Sequence, residues 1–166
     1  MKINSPELWR SYFPRKQAHA HKYDYGHAVI YGAPDYTGAT RLAASACARM
    51  GAGLVSVVST VERGDVYRAS LPAHIMVHDE LMWNSPKVSA RLYGSGGLAR
   101  GVKLRLNRPC VLDADVLSRL PAQLHAQCVL TPHEGEFARA FPDLKGAREE
   151  RALRAAGQCG AVVVLK

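Results

Sequence analysis

Residues 21–59, HKYDYGHAVIYGAPDYTGATRLAASACARMGAGLVSVVS, constrain the fold most tightly, because they read as a strand, a glycine-containing loop, a helix and a second strand. His27 to Tyr31 is a short apolar run rich in strand formers, and Gly32-Ala33-Pro34-Asp35-Tyr36 interrupts it with turn residues. Thr37 opens the helix. Leu42, Cys47 and Met50 are expected on one face, while Ala39, Ala43, Ala44, Ala46 and Ala48 keep the surface thin enough to pack on a sheet. Gly51 and Gly53 end it, and the branched run Leu54 to Val58 is expected as a strand covered on both faces. Such a βαβ crossover is right-handed, and ligands bind where strand carboxyl ends meet helix amino ends, here Gly32 to Ala39. The loop has neither G-x-G-x-x-G nor the lysine of a P-loop. Two readings of Thr37-Gly38-Ala39 stay open: bare N–H groups for an anionic or polar ligand, or a helix start that is small only to pack.

With 166 residues and 48% hydrophobic content, the chain is one ordinary globular domain or a large part of one. No apolar run reaches the length of a membrane span, and the amino-terminal MKINSPELWRSYFPRKQ lacks the apolar core of a signal peptide, so the expectation is a cytoplasmic protein with no membrane partner. Cys47, Cys110, Cys128 and Cys159 stand singly and read as reduced core thiols. The net charge of +8 raises the question of nucleic acid. The basic residues, however, are dispersed over 10–22, 91–108 and 148–154 without aromatic interleaving, so no nucleic-acid partner is expected and anionic small molecules or a solvated basic face account for the excess.

Residues 1–20 form a lead-in, with a short helix from Ser5-Pro6-Glu7 through Trp9 that Pro14 stops; His19 and His21 resemble a metal pair only superficially. The remaining chain, 21–166, is one domain. Further elements are predicted as a helix over Val61–Ser70, a strand over His74–Val77, a strand over Val88–Tyr93 and a short basic helix over Ala99–Leu106. Strands follow at Cys110–Leu112 and Cys128–Leu130, then a helix over Lys145–Cys159 with Arg148, Arg151 and Arg154 outward, and a core-like final strand over Ala161–Lys166. A chain that stops at the end of such a strand is expected to be truncated, and exposed edges at that point predict either self-association as a homo-oligomer or poor solubility.

Three strand ends carry chemistry-bearing residues. Gly94-Ser95-Gly96-Gly97 lets a phosphate or ring lie against the backbone, or is a plain flexible turn. One aspartate of Asp113-Ala114-Asp115 orients a cation or caps the next helix. In Thr131-Pro132-His133-Glu134-Gly135-Glu136-Phe137, His133 and Glu136 stand three apart at a helix start and can face one site; a capping box accounts for the glutamates but leaves His133 unexplained.

Together these stretches resemble the dehydratase domain of the ADP- or ATP-dependent NAD(P)H-hydrate dehydratases, in the ribokinase-like superfamily. The resemblance is carried by His21-Lys22-Tyr23, Gly26-His27, Thr37-Gly38-Ala39, Gly51-Ala52-Gly53-Leu54-Val55 and Gly94-Ser95-Gly96, and by the D-A-D, T-P-H-E-G-E-F and Val162–Lys166 segments. It implies an α/β fold with three αβα layers and a mainly parallel sheet, of which this chain is the amino-terminal portion. It also implies dehydration of hydrated NADH or NADPH with ADP or ATP and Mg2+ as cofactors. By resemblance, Ala39, Gly94, Gly96, Gly97 and His133 bind the hydrated dinucleotide; Asp113, Glu136 and Lys166 approach the adenine nucleotide, with Glu136 near the magnesium. The family's later G-T-G-D motif, which carries the catalytic base, has no counterpart up to Lys166, so no catalytic base is assigned. The same strand-end groups also suit a small-molecule kinase acting on a vitamin precursor or carbohydrate-like substrate, and the missing motif suits a non-catalytic dinucleotide-binding fragment.

Overall fold

The computed structural model describes residues 3–166. The strands are β1 (His27–Tyr31), β2 (Leu54–Val58), β3 (Met76–His78), β4 (Ala90–Tyr93), β5 (Cys110–Leu112), β6 (Cys128–Leu130) and β7 (Val162–Val163). They form one sheet in the order β3-β2-β1-β4-β5-β6-β7, with every neighbouring pair parallel. The helices are α1 (Pro6–Trp9), α2 (Thr37–Arg49), α3 (Val61–Ser70), α4 (Glu134–Ala140) and α5 (Arg148–Cys159), and a six-residue 3-10 segment, Ala114–Arg119, follows β5.

The chain steps from β1 to β2 to β3 in one direction, returns to β4 on the other side of β1, and continues to β7. Right-handed crossovers then place α2 and α3 on one face of the sheet and α4 and α5 on the other. Side-chain alternation agrees with this placement. Ala44 of α2 and Tyr67 of α3 pack with Ile30, Val55 and Val57, whereas Phe137 of α4 and Ala155 and Cys159 of α5 pack with Val29, Tyr31, Leu112 and Leu130. The result is three αβα layers. Among the described residues no helix is long and apolar enough to cross a membrane.

Several local expectations are corrected. No helix forms over 99–106: Gly101 sits at φ 87°, and Val102, Leu104 and Leu106 reach the core at a spacing of two, the period of extended chain. On α2, Leu42 and Met50 are 74% and 63% exposed, and the packed face is Thr40 and Ala44 with Cys47 and Ala48 beside them. Small residues at that spacing let the helix lie close to the sheet. β3 begins two residues later than expected and β4 also two, because Ile75 and Val88 are buried through turns rather than strand pairing.

α5 starts at Arg148 after Gly146, whose φ of 113° does not continue a helix. Arg151 does not point outward: it bonds Glu134 at 3.0 Å and lies over the Phe137 ring. β7 is a short edge strand rather than a core one, with Val162 and Val164 half exposed, although the Val164 and Lys166 N–H groups still donate to Leu130 O and Pro132 O. His21 is the N-cap residue of the 3-10 turn Lys22–Tyr25, and its N–H donates to Asp24 Oδ2 at 2.8 Å.

Candidate functional site

Parallel pairing brings all seven strand carboxyl ends to one rim, and the chain reverses its direction of travel between β1 and β4. A switch point of this kind leaves a crevice, because the loops leaving the two strands turn to opposite faces. Here the loops are Gly32–Tyr36 after β1 and Gly94–Gly97 after β4.

Thr40 ties them together. It is fully buried in the first turn of α2; its Oγ1 accepts from Ala33 N at 3.0 Å and donates to Ser95 O at 3.1 Å. From below, the buried Tyr67 hydroxyl donates to Ala33 O at 2.7 Å, and burial pushes that phenol up so that it remains a donor. Nothing in the apolar period singled out Thr40; the signal was a hydroxyl residue on the thin, packed face of the helix.

Close approach decides the glycine turn. A Cβ on Gly96, at φ 84°, would lie 2.4 Å from Tyr36 O and 3.3 Å from the Ala39 Cβ; one on Gly94, at φ 94°, would lie 1.9 Å from Asp113 O. Only glycine fits at either place. Gly96 thus packs on Ala39, and Gly94 packs on the end of β5, but Ala39 and Gly94 do not line the open space. That space is a cleft of about 540 Å³ walled by Gly96, Gly97, Tyr36 and Thr60, with Arg100, Arg119 and Asp115 at its sides.

The end of β5 is strained. Ala114 takes φ 47°, a left-handed conformation unusual for a residue with a Cβ, and it turns Asp113 and Asp115 in different directions. Asp113 Oδ1 accepts from Thr131 Oγ1 at 2.8 Å and pairs with Lys166 Nζ at 3.0 Å, so the ends of β5, β6 and β7 meet on one carboxylate oxygen. Asp115 lines the cleft and also a smaller cavity of about 120 Å³ that it shares with Glu136 and Arg139.

His133 and Glu136 form a reciprocal cap. His133 Nδ1 accepts from the Gly135 and Glu136 N–H groups at 3.0 and 3.3 Å, and Glu136 Oε2 accepts from His133 N at 2.8 Å. An imidazole that accepts at Nδ1 carries its proton on Nε2, which lies 3.3 Å from Glu136 Oε1. The histidine left over by a serine- or threonine-type capping box is itself the cap. Its side chain is 56% exposed and that of Glu136 11%, so His133 presents a ring to solvent while Glu136 is largely committed to the helix.

A profile of the NAD(P)H-hydrate dehydratase family matches residues 27–166. The bifunctional NAD(P)H-hydrate repair enzyme Nnr of Coxiella burnetii is 36% identical over 151 residues, covering 79% of this chain and 30% of the relative; that of Moorella thermoacetica is 32% identical, covering 95% and 36%. The ADP/ATP-dependent NAD(P)H-hydrate dehydratase of Bacillus subtilis, co-crystallised with ATP and Mg2+, superposes with a TM-score of 0.80 at 27% identity over 98% of this chain and 65% of that one. A ribokinase-like superfamily protein of Enterococcus faecalis, at 20% identity and a TM-score of 0.81 over the same shares, shows the fold alone. The chain spans about a third of the length of these curated relatives. Its fold is ribokinase-like.

Proposed function

The chain belongs to the NAD(P)H-hydrate dehydratase family, and on that premise we propose that the cleft between the β1 and β4 loops receives hydrated NADH or NADPH for dehydration driven by ADP or ATP. The observation that carries this reading is the cleft itself: a switch-point crevice of about 540 Å³ whose wall at Gly96 and Gly97 is bare backbone. Arg100 and Arg119 at its sides have no carboxylate partner among the described residues, and they supply the positive field that a dinucleotide's phosphates need.

The hydrate carries a hydroxyl on the ring carbon next to nitrogen, and hydroxide leaves poorly. When bound, the adenine nucleotide would supply a phosphoryl group, its charge screened by Mg2+, that would turn this hydroxyl into a leaving group. The ring nitrogen's lone pair expels phosphate, and loss of a proton from the neighbouring carbon restores the dihydropyridine. The residues of this chain contribute position and charge. Gly96 and Gly97 let the substrate approach the main chain, and the exposed His133 ring with its Nε2 proton offers a donor at the rim.

Glu136 and Asp115 are oxygen donors around one small cavity, the chemistry that suits a hard cation. Glu136 Oε2 accepts from the His133 N–H and Oε1 faces the His133 Nε2 proton at 3.3 Å, so an ion held here would take Oε1 and turn that proton outward to the rim. Lys166, held on Asp113, places an ammonium beside the nucleotide end of the rim. Ala39 and Gly94 act behind the wall by letting the two loops close on each other. We place the activity in the cytoplasm, where four free cysteines stay reduced.

Anaerobic calorimetric titration of this chain with hydrated NADPH, and separately with ADP and Mg2+, tests the reading. Saturable binding of the hydrate without nucleotide is expected. Absence of hydrate binding by the folded chain would remove the cleft as a substrate site.

A further inference from the structure

The connection between β3 and β4 packs on the face of β1–β3 turned away from α2 and α3. Its Trp83 stacks on His78, with ring centroids 3.8 Å apart and planes 14° apart, and stands edge-on to His27 at 5.8 Å. One residue on, Asn84 Oδ1 accepts from Arg91 Nη2 at 3.1 Å.

Beneath this cover the polar groups are basic. His27 is 4% exposed, Arg91 5%, and Ser56 not at all. His27 Nε2 lies 2.8 Å from Ser56 Oγ, and Ser56 Oγ lies 3.2 Å from His78 Nε2. His27 Nδ1 is buried with no partner. The Ser56 hydroxyl proton can point to either imidazole, and burial favours the direction that leaves no unpaired N–H on His27 Nδ1. His27 Nε2–H donates to Ser56, Ser56 donates to His78 Nε2, and the orphaned Nδ1 is a bare nitrogen rather than an N–H. Adding a proton to His27 makes Nδ1 a buried, unpaired donor. Adding one to His78 removes the acceptor of the Ser56 hydroxyl, or reverses the chain and again leaves an N–H on His27 Nδ1.

The charged neighbours do not offset this cost. Among the described residues Arg91 under the cover is met only by the amide oxygens of Asn84 and Asn107, and Arg105 reaches Met82 O. Asp79, beside His78, is bonded to Arg68 at 2.9 Å. Burial holds both imidazoles below their ordinary value of 6.5; His78 adds to the effect at His27, and at His78 the attraction of Asp79 and the repulsion of Arg68 oppose each other.

We propose that residues 79–87 are a pH-sensitive strap, closed over neutral His27 and His78 and released when the pair takes up protons. Release reaches the cleft from both ends of the strap. His78 O accepts from Ser59 N at 2.8 Å, next to Thr60 in the cleft wall, and β4 leads directly into Gly94–Gly97.

The sequence has two tryptophans, so Trp9→Phe leaves Trp83 as the sole indole reporter. In that background, lowering the pH from 8 to 5 is expected to shift Trp83 emission to the red and to raise amide exchange over 79–87 by tenfold or more, with a midpoint below 6.5 and unchanged far-ultraviolet circular dichroism. His27→Gln/His78→Gln should abolish the transition. If that double variant fails to fold, nuclear magnetic resonance titration of the unsubstituted histidines decides, with the His27 and His78 ring protons expected to titrate together with strap opening. No transition, a transition unchanged in the double variant, or ring titration uncoupled from opening would overturn the proposal. So would loss of all structure at the same midpoint.

Discussion

At the level of single residues, the cap formed by His133 and Glu136 separates what a side chain does for the fold from what it does for a ligand. His133→Ala removes an acceptor from two helix N–H groups, a loss of about 1 kcal/mol of stability. His133→Asn restores a capping oxygen but not the ring N–H. Urea denaturation is expected to show Asn close to the original and Ala weaker, while calorimetry shows hydrate affinity reduced in both; an Asn variant that binds normally would confine His133 to capping. The cap was only half legible in the sequence. The three-residue spacing marked the helix start, but a histidine acting as the cap acceptor is visible only once Nδ1 is seen beneath two N–H groups. Thr40 and the His27–Ser56–His78 chain were not legible, because their partners lie 55, 29 and 22 residues away along the chain.

At the level of elements, β1, the start of α2, β2 and α3 follow the periodicity of their residues, because turn formers bound each run. Periodicity failed where the residues were ambiguous. Val102, Leu104 and Leu106, mixed with basic residues, suggested a helix, yet Gly101 and the alternate spacing make them extended chain against the core. Leu42 and Met50 drew attention as the large apolar residues of α2, although the sheet selects the small ones. Helices α4 and α5 are joined by a clamp no local pattern reveals: Arg151 and Arg148 both reach Glu134. Arg151 holds the Glu134 carboxyl below its ordinary value of 4.5, so the clamp is present above that pH and is lost as acid protonates it. Glu134→Gln should lower the urea midpoint at pH 6 and leave less of it to lose at pH 3.5. Equal acid sensitivity in the two proteins would show that the clamp contributes nothing.

Across the whole molecule, the fold class was readable because six βα or loop crossovers in one parallel sheet leave few alternatives once the first βαβ unit is recognised. The site was readable as three motifs at strand ends; what joins Gly96 to Ala39 and Lys166 to Asp113 needed the three-dimensional rim. Val162 and Val164, half exposed at the β7 edge, are the surface through which we propose self-association. Light scattering after size exclusion is expected to give a mass above 18.1 kDa, and a monomer at every concentration would contradict it.

The central claim is that hydrated dinucleotide lies against the Gly96 backbone. Calorimetric titration of hydrated NADPH into the original chain and into Gly96→Ala tests it most directly, since a methyl there would sit 2.4 Å from Tyr36 O and displace the wall of the cleft. Binding by the original and a loss of about tenfold or more in the variant, about 1.4 kcal/mol, is the predicted result. Equal affinity in a folded Gly96→Ala variant would contradict it.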